Sequence, residues 1–486
     1  MDSNNSSDSS IINASDSDNL ISTNDNSTSS ENARQNDTID NNFEYNFTRI
    51  DGNNMPPPPP RIHFTSSPPV HVRNDSGNIL SYFEYFFSPD LLHLIETETN
   101  RYARNHTGKH ENHTQHNKWQ DTTVNEIYVF LALHILQSLV QKPIVEWYWS
   151  KRHSIDTPFM RNIMTYDRFR LLKSCLHFVD NNIQIPPDHP NPKLHKIWPV
   201  FNRINRSFMS AITPNQDLSV DESLLLYKGR LGWKQYLPLK RFRFGIKTFM
   251  LCEANTGYIY SQIIYTGKGT IINEEYKNLS QPTSIILTLA EPLLDKGYCI
   301  ITDNYYTSSE LASILLTRNT DIYGTVRQNR KHIPAVIKTE KLKREDKIAF
   351  QDGKICIIKW KDKKDVVTLS TIHNADMTTV QKNNKTKIVP KVVYDYNFTM
   401  GGVDKADQNL RYYSTTKSRG KKYYYKIFIH LLDKAIWNAY ILHKKEGETM
   451  THLQFRLELI DKLIAKYHKK VQTPSKDLPL LPHRSD

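Results

Sequence analysis

The chain has 486 residues, 38% of them hydrophobic, and a formal net charge of +13. That length and apolar content provide for two to four domains with real cores. Cys175, Cys252, Cys299 and Cys356 lie far apart and form no CxxC pair, which argues against a disulfide framework or thiolate zinc site and suits a reducing compartment. The N-terminus is Asp/Ser/Asn-rich and lacks the basic-then-apolar order of a signal peptide. The most apolar long window, 124–140, contains Glu126, His134 and Gln137, and reads as a buried helix rather than a membrane span. A soluble intracellular protein is expected.

Residues 1–60 hold ten acids and two bases, a net −8, so the other 426 residues carry +21. A body this basic points to a polyanion, most commonly nucleic acid; the alternative is a basic enzyme with solvated lysines. The N-terminal segment ends in five prolines at 56–60, and its composition buries too little apolar surface to offset ordering entropy. Residues 1–80 are therefore expected to be a disordered acidic tail. Ser15-Asp16-Ser17-Asp18 is either plain solvated tail or a site for an acidophilic kinase.

Ser88-Pro89-Asp90 reads as a helix start, with Pro89 in the first helical position. Helices are expected over 123–141 and 166–178, the second capped by Thr165 and apolar at Phe169, Leu172 and Leu176. His106, His110, His113 and His116 have metal-ligand spacing if helical, but Gly108 and the missing apolar face favour a polar surface insertion. Residues 81–216 thus form a helical domain. After Pro214 the pattern changes to a strand at 217–226, a hairpin of 244–251 and 257–265 around the turn at 253–257, a helix at 283–294 kinked at Pro292, a strand at 298–302, a helix at 308–318 and a strand at 322–326. This β-β-β-α-β-α-β order is a mixed α/β sheet. The Lys-rich stretch 328–392 reads as an inserted, mostly β module. Helices at 403–410, 424–443 and 453–467 precede a tail at 471–486.

Three acids stand where such a sheet would hold a metal. Asp221 lies inside the first strand, where a carboxylate is costly unless paired or metal-bound. Asp303 follows a later strand's C-terminal end, the usual ligand position of open α/β sheets, or caps the next helix. Asp404 opens a helix after Gly401-Gly402, as ligand or as helix-dipole partner, with Asp407 on the same face. Carboxylates are the ligands for two divalent cations that activate water and stabilise a leaving oxygen in phosphoryl displacement.

In this element order the acids resemble the RNase H-like nucleotidyltransferase arrangement. The strings VDESLLLYKGR, FGIK, TDNYYTS and GGVDKADQNLRYYS are similar to signature segments of piggyBac-type transposases, as are YFEYFFSPDLLHLIETETNRYA, MTYDRFRLLKSCLHF and FRLELIDKLI. The likeness covers 81–468. It implies a nuclear DNA transposase with an RNase H-like catalytic core at 217–327 and 393–411, interrupted by the insertion at 328–392. A helical dimerisation and DNA-binding domain would come from 81–216 and 412–470. By this resemblance Asp221, Asp303 and Asp404 bind two magnesium ions (manganese being a possible substitute, zinc not expected) and Asp407 is an additional catalytic acid. The implied partners are double-stranded transposon ends, cut through hairpin intermediates, and a TTAA target, bound by a homodimer without any membrane. The cysteine-rich zinc domain frequent in the family is not expected, since no cysteine follows Cys356. The alternatives are a domesticated, catalytically idle DNA-binding or chromatin protein on the same fold, and a nuclease that never rejoins strands.

Bases beside the acids suit phosphate neutralisation, with tyrosines for stacking on unpaired bases. They are Lys228, Arg230, Lys240, Arg241, Arg243 and Lys247 near the first acid, and Arg411, Tyr412, Tyr413, Lys417, Arg419, Lys421 and Lys422 near the third. The 417–422 cluster also reads as a solvated face or nuclear import signal. The lysines of 338–364 read as a solvated insertion surface.

Overall fold

The structure is a computed structural model, and it describes residues 43–51, 55–72, 78–106, 119–238, 243–382, 385–415 and 422–468. The chain begins with β1 (Thr48–Arg49), followed by helices α1 (Ile79–Phe86), α2 (Pro89–His106), α3 (Val124–Leu139), α4 (Pro158–Ile163), α5 (Tyr166–Cys175) and α6 (Trp198–Ser210). Next come β2 (Asp217–Leu226), β3 (Gln235–Tyr236), β4 (Phe244–Glu253), β5 (Ile259–Ile264), α7 (Gln281–Ala290), β6 (Cys299–Thr302), α8 (Ser309–Thr317), β7 (Asp321–Thr325) and α9 (Ala335–Thr339). Strands β8 (Lys347–Asp352), β9 (Ile355–Lys361), β10 (Asp365–Ser370), β11 (Met377–Lys382) and β12 (Lys385–Pro390) precede α10 (Lys391–Thr399), α11 (Gly402–Tyr412), α12 (Tyr423–Lys445) and α13 (His452–Tyr467). Two compact units result: Met1–Arg73 with Ile185–Glu446, and Asn74–Gln184 with Gly447–Asp486.

The first unit is built on a ten-stranded sheet in the order β1-β8-β9-β10-β7-β6-β2-β4-β3, with β5 also on β4. β2, β4 and β5 pair antiparallel, whereas β2, β6 and β7 run parallel. Apart from the short β3, this is the mixed β-β-β-α-β-α-β core expected from the sequence, of the RNase H-like kind. The parallel strands need helical crossovers, and α7 and α8 supply them, α8 starting at the Ser308 cap. Gly324 lets β7 close on β6, because a Cβ there would collide with the Thr302 carbonyl.

Strands expected in a separate insertion instead extend this sheet. β10 pairs with β7, and β9 and β8 follow antiparallel, while β11 and β12 form their own hairpin. The physical reason is a shared apolar face: Ala349, Cys356, Ile358 and Trp360 pack in one cluster with Cys299, Ile301 and Tyr323 of the core strands, under Val392 and Val393 of α10.

The expectation of a disordered tail through residue 80 is corrected for 43–51 and 55–72; residues 1–42 lie outside the described residues. β1 pairs with β8, Arg61 forms an ion pair with Asp217, and the Ile62 amide donates to Asp321 at 2.7 Å. Phe64 packs edge-on against Tyr298, and Val70 bridges Ile212. Composition measures what a segment can bury by itself; this one takes its acceptors and apolar contacts from a sheet made elsewhere in the chain.

Two helices assigned by sequence to the helical domain also belong to the sheet unit. Asn205 of α6 accepts the Gln262 amide of β5 at 3.0 Å. Asn438 of α12 accepts the Ile259 amide at 2.9 Å and donates to its carbonyl at 2.8 Å. These side chains satisfy the outer edge of β5, which would otherwise be open for pairing.

The second unit is helical. Thr123, Thr165 and Thr451 cap α3, α5 and α13, the last with a reciprocal Gln454 capping box. α13 packs on α3 and α1, with Tyr467 stacked on Tyr128 at 4.0 Å. Arg456 is wholly buried; its Nε donates to His452 at 3.1 Å and its Nη1 to Ser138 at 3.2 Å. No helix of the described residues is long and apolar enough to cross a membrane.

Candidate active site

The register of β2 and β6 brings the first two acids together. Val220 pairs with Thr302, so Asp221 and Asp303 occupy the next position on neighbouring parallel strands, roughly 5 Å apart in backbone. Asp303 begins the turn leading to α8: its Oδ1 accepts the Tyr305 amide at 3.0 Å. It does not cap α8, a task Ser308 performs. Burial first, then the nearby charge of Glu222, push the Asp303 carboxyl up to about 6.

Helix α11 delivers the third acid. Gly402 packs so closely on β2 that a Cβ would collide with Ser219 Oγ, and Lys405 Nζ donates to the Ala254 and Asn255 carbonyls, each at 3.0 Å. Further along, Ser223 Oγ donates to Asp407 Oδ1 at 2.6 Å. These fixed points at Ser219 and Ser223 bracket Asp221, on the same face of β2, and place the first turn of α11 with exposed Asp404 beside it. Tyr396 of α10 senses the whole group: burial and then the charges of Asp303, Asp221 and Asp404 raise its phenol.

Asp407 is held differently from Asp404. Besides Ser223, it faces the buried ammonium of Lys434 on α12, which donates to Gln262 Oε1 at 2.6 Å. Burial lowers Lys434 to about 8, against the opposing charge of Asp407. The expected i, i+3 pair is thus divided, one acid exposed and the other drawn into the contact between helix and strand.

Sequence reasoning assigned no role to Glu222. Its Oε1 accepts Lys247 Nζ at 2.9 Å and the Tyr306 hydroxyl at 3.0 Å, and its charge bears on Asp303 from the opposite face of β2. Lys247, expected to contact phosphate, is committed here and also lies over the rings of Phe249, Tyr305 and Tyr265. Arg327 and Arg330 were missed too. Arg327 Nε donates to Asn304 Oδ1 at 3.4 Å. Arg330 reaches the carbonyls of Asn304, Tyr305 and Thr307, bracing the turn that carries Asp303. The sequence signal available was the adjacency of Glu222 to Asp221 and of the two tyrosines to Asp303; the arginines follow β7 and carry no local signal.

Of the other expected bases, Lys228, Arg230, Arg243 and Arg411 are exposed and Lys422 is half-buried. Lys240, Arg241, Lys417, Arg419 and Lys421 lie outside the described residues, as do His110, His113 and His116. His106 ends α2 with Nδ1 2.8 Å from the Tyr102 carbonyl. Among the described residues, no three of His, Cys, Asp and Glu already close around one point as a metal cage. Magnesium does not require such a cage, because waters and substrate phosphate oxygens complete its octahedron. An all-carboxylate donor set with one carboxylate destabilised by burial and then by a neighbouring negative charge fits that ion.

Comparison with known proteins bears on the family and the fold. The chain is 28% identical over 393 residues to PiggyBac transposable element-derived protein 3 of Homo sapiens, covering 78% of this chain and 63% of that protein. It is 27% identical over 403 residues to the human PiggyBac transposable element-derived protein 2, covering 78% and 64%. The chain therefore spans a little under two thirds of the length of these curated relatives. A solved structure of a piggyBac transposase synaptic complex with hairpin DNA superposes with a TM-score of 0.72 at 25% identity, covering 83% of this chain and 84% of that one. The family model described as Transposase IS4 matches residues 80–440, well over half of the sequence; the chain belongs to that transposase family, and within it to the piggyBac type.

Proposed function

We propose that this chain cleaves DNA strands at transposon ends and transfers them to TTAA targets, using Asp221, Asp303 and Asp404 as its metal-binding residues. The observation that carries the reading is the side-by-side position of Asp221, within β2, and Asp303, just past the end of the parallel β6, with a helix-borne Asp404 whose charge reaches the same Tyr396 phenol. Magnesium, or manganese in its place, supplies activation of the attacking oxygen and stabilisation of the leaving one. The protein's own work is positional. Tyr306 and Lys247 fix Glu222 behind Asp303, Arg327 and Arg330 hold the turn, and Asp407 anchors α11 through Ser223 so that Asp404 stays over β2. Water first hydrolyses one phosphodiester, leaving a 5′ phosphate and a free 3′ hydroxyl. That hydroxyl attacks the opposite strand, exchanging one phosphodiester for another and closing a hairpin. A second water opens the hairpin and regenerates the 3′ hydroxyl, which then displaces a 3′ oxygen of the target, again one phosphodiester for another. Exposed Lys228, Arg230, Arg243 and Arg411 neutralise backbone phosphates, in a nuclear homodimer.

The test is divalent-ion-dependent nicking of a duplex carrying candidate end repeats and TTAA, wild type beside Asp303→Asn. Nicking by the wild type alone is expected. Tight DNA binding with no cleavage by either protein would replace this reading with that of a catalytically idle DNA-binding protein.

A further inference from the structure

We propose that the β3–β4 hairpin is a stacking platform for unpaired bases of the DNA substrate, with Tyr236 and Phe244 as its floor and Lys228, Arg230, Lys234 and Arg243 taking the flanking phosphates. This rests on the reading that DNA is the substrate, and adds which form of DNA the site selects. Tyr236 and Phe244 are directly opposite in the hairpin register, so both rings project from the same face. Their centroids are 4.7 Å apart at 34°, yet they remain 53% and 44% exposed.

A cross-strand aromatic pair can serve hairpin stability alone; its surroundings indicate more. The ammonium of Lys234 lies 5.3 Å over the Phe244 ring, so the platform already carries positive charge. Lys228, Arg230 and Arg243 are exposed and have no carboxylate partner among the described residues. Residues 223–252 contain seven Lys and Arg and not one Asp or Glu, a charge pattern that repels other cations and suits a polyanion. The hairpin is anchored, since Trp233 is buried edge-on against Tyr423 and the Leu237 amide donates to the Arg243 carbonyl at 2.8 Å. Gly245 pairs with Leu226 on one side and Gln235 on the other. The platform therefore begins at the end of the strand that carries Asp221, five residues or roughly 17 Å further on. In a duplex each base face is covered by its neighbour, so exposed aromatic rings reward only bases that have left the stack, whatever their identity.

The experiment is a binding titration of the full chain with two probes of equal length at one salt concentration: a duplex, and the same duplex interrupted by a short unpaired run containing 2-aminopurine. Wild type is expected to favour the unpaired probe and to change its fluorescence. The double variant Tyr236→Ala/Phe244→Ala should lose about tenfold in affinity for the unpaired probe, stay within about twofold on the duplex, and lose the fluorescence change, whereas Tyr236→Phe keeps all three. If the double variant melts early, Phe244→Leu, which keeps an apolar cross-strand contact but no π face, must reproduce the selective loss. An unchanged preference in these variants, or equal weakening on both probes, overturns the platform. Failure of wild type to bind either probe would instead overturn the DNA reading itself.

Discussion

The sheet unit and the helical unit both bury polar groups, but at opposite kinds of place. In the sheet unit Asp221 and Glu222 of β2 gather beside Asp303 at the end of β6, where burial and then the negative charge of Glu222 push the Asp303 carboxyl up to about 6. In the helical unit His134, His452 and Arg456 lie inside the packing of α3 and α13, where burial holds both imidazoles neutral. The histidines fill space in a form that costs little to bury. The carboxylates are crowded in the form that costs most, and folds retain such an arrangement where a bound cation or a reaction repays it.

The sharpest way to break this comparison is to neutralise the acids one at a time. Asp303→Asn keeps an oxygen for the Tyr305 amide and removes a charge. We expect strand cleavage to become undetectable in single-turnover assays, while the melting temperature without divalent ions rises by about 2–4 °C. A fall in melting temperature would mark Asp303 as a structural turn residue. Asp407→Asn should behave in the opposite sense, because that carboxylate is satisfied by Ser223 and faces Lys434. Losing a charge-assisted hydrogen bond costs roughly 1.5–3 kcal/mol, to be read from urea unfolding, with cleavage reduced only as far as α11 loosens. If Asp407→Asn abolishes cleavage without touching stability, it is a ligand rather than an anchor.

Lys247 offers a finer cut. Its ammonium is engaged by Glu222 and three aromatic rings, so Lys247→Met is expected to slow cleavage about 10–100-fold, the usual scale for residues supporting metal ligands. The salt slope of DNA binding should not move. A slope smaller by about 1 would show instead that Lys247 neutralises a phosphate.

These assignments also show where sequence reading stops. The span of β2 was legible to the residue, because DLSVDESLLL alternates and Pro214 precedes it; so were the Thr165 cap and the strand end at Asp303. Those features are local. Asp221 was legible as an acid within a strand and Asp303 as one at a strand end, but the convergence of Glu222 on Asp303 depends on which face Tyr306 and Lys247 occupy. The division of Asp407 from Asp404 depends on Ser223 and Lys434, distant in sequence. The segment 55–72 was misread for the same reason: its partners Asp217, Asp321 and Tyr298 lie more than 140 residues away. Lysine content disguised β8–β10 as a separate module, although the apolar alternation of Cys356, Ile358 and Trp360 continues the core.

The smallest expected effect tests the histidine side of the comparison. In the folded helical unit His452 is lowered to about 2, by burial and then by the charge of Arg456; in the unfolded chain it titrates near 6.5. Above pH 6.5 both states are neutral and His452 contributes no pH dependence. Below it the unfolded chain takes up a proton that the native state refuses, so stability falls as pH drops, by at most about 1.4 kcal/mol per unit for this residue. His134, lowered by burial and then by Lys173, acts with the same sign. Replacing His452 with Gln should therefore leave a shallower decline between pH 6.5 and 4.5 than wild type shows, measured by urea unfolding followed through a probe in the helical unit. An unchanged decline would mean that His452 accepts its proton in the folded state, and the contrast between costly carboxylates and quiet histidines would lose one of its terms.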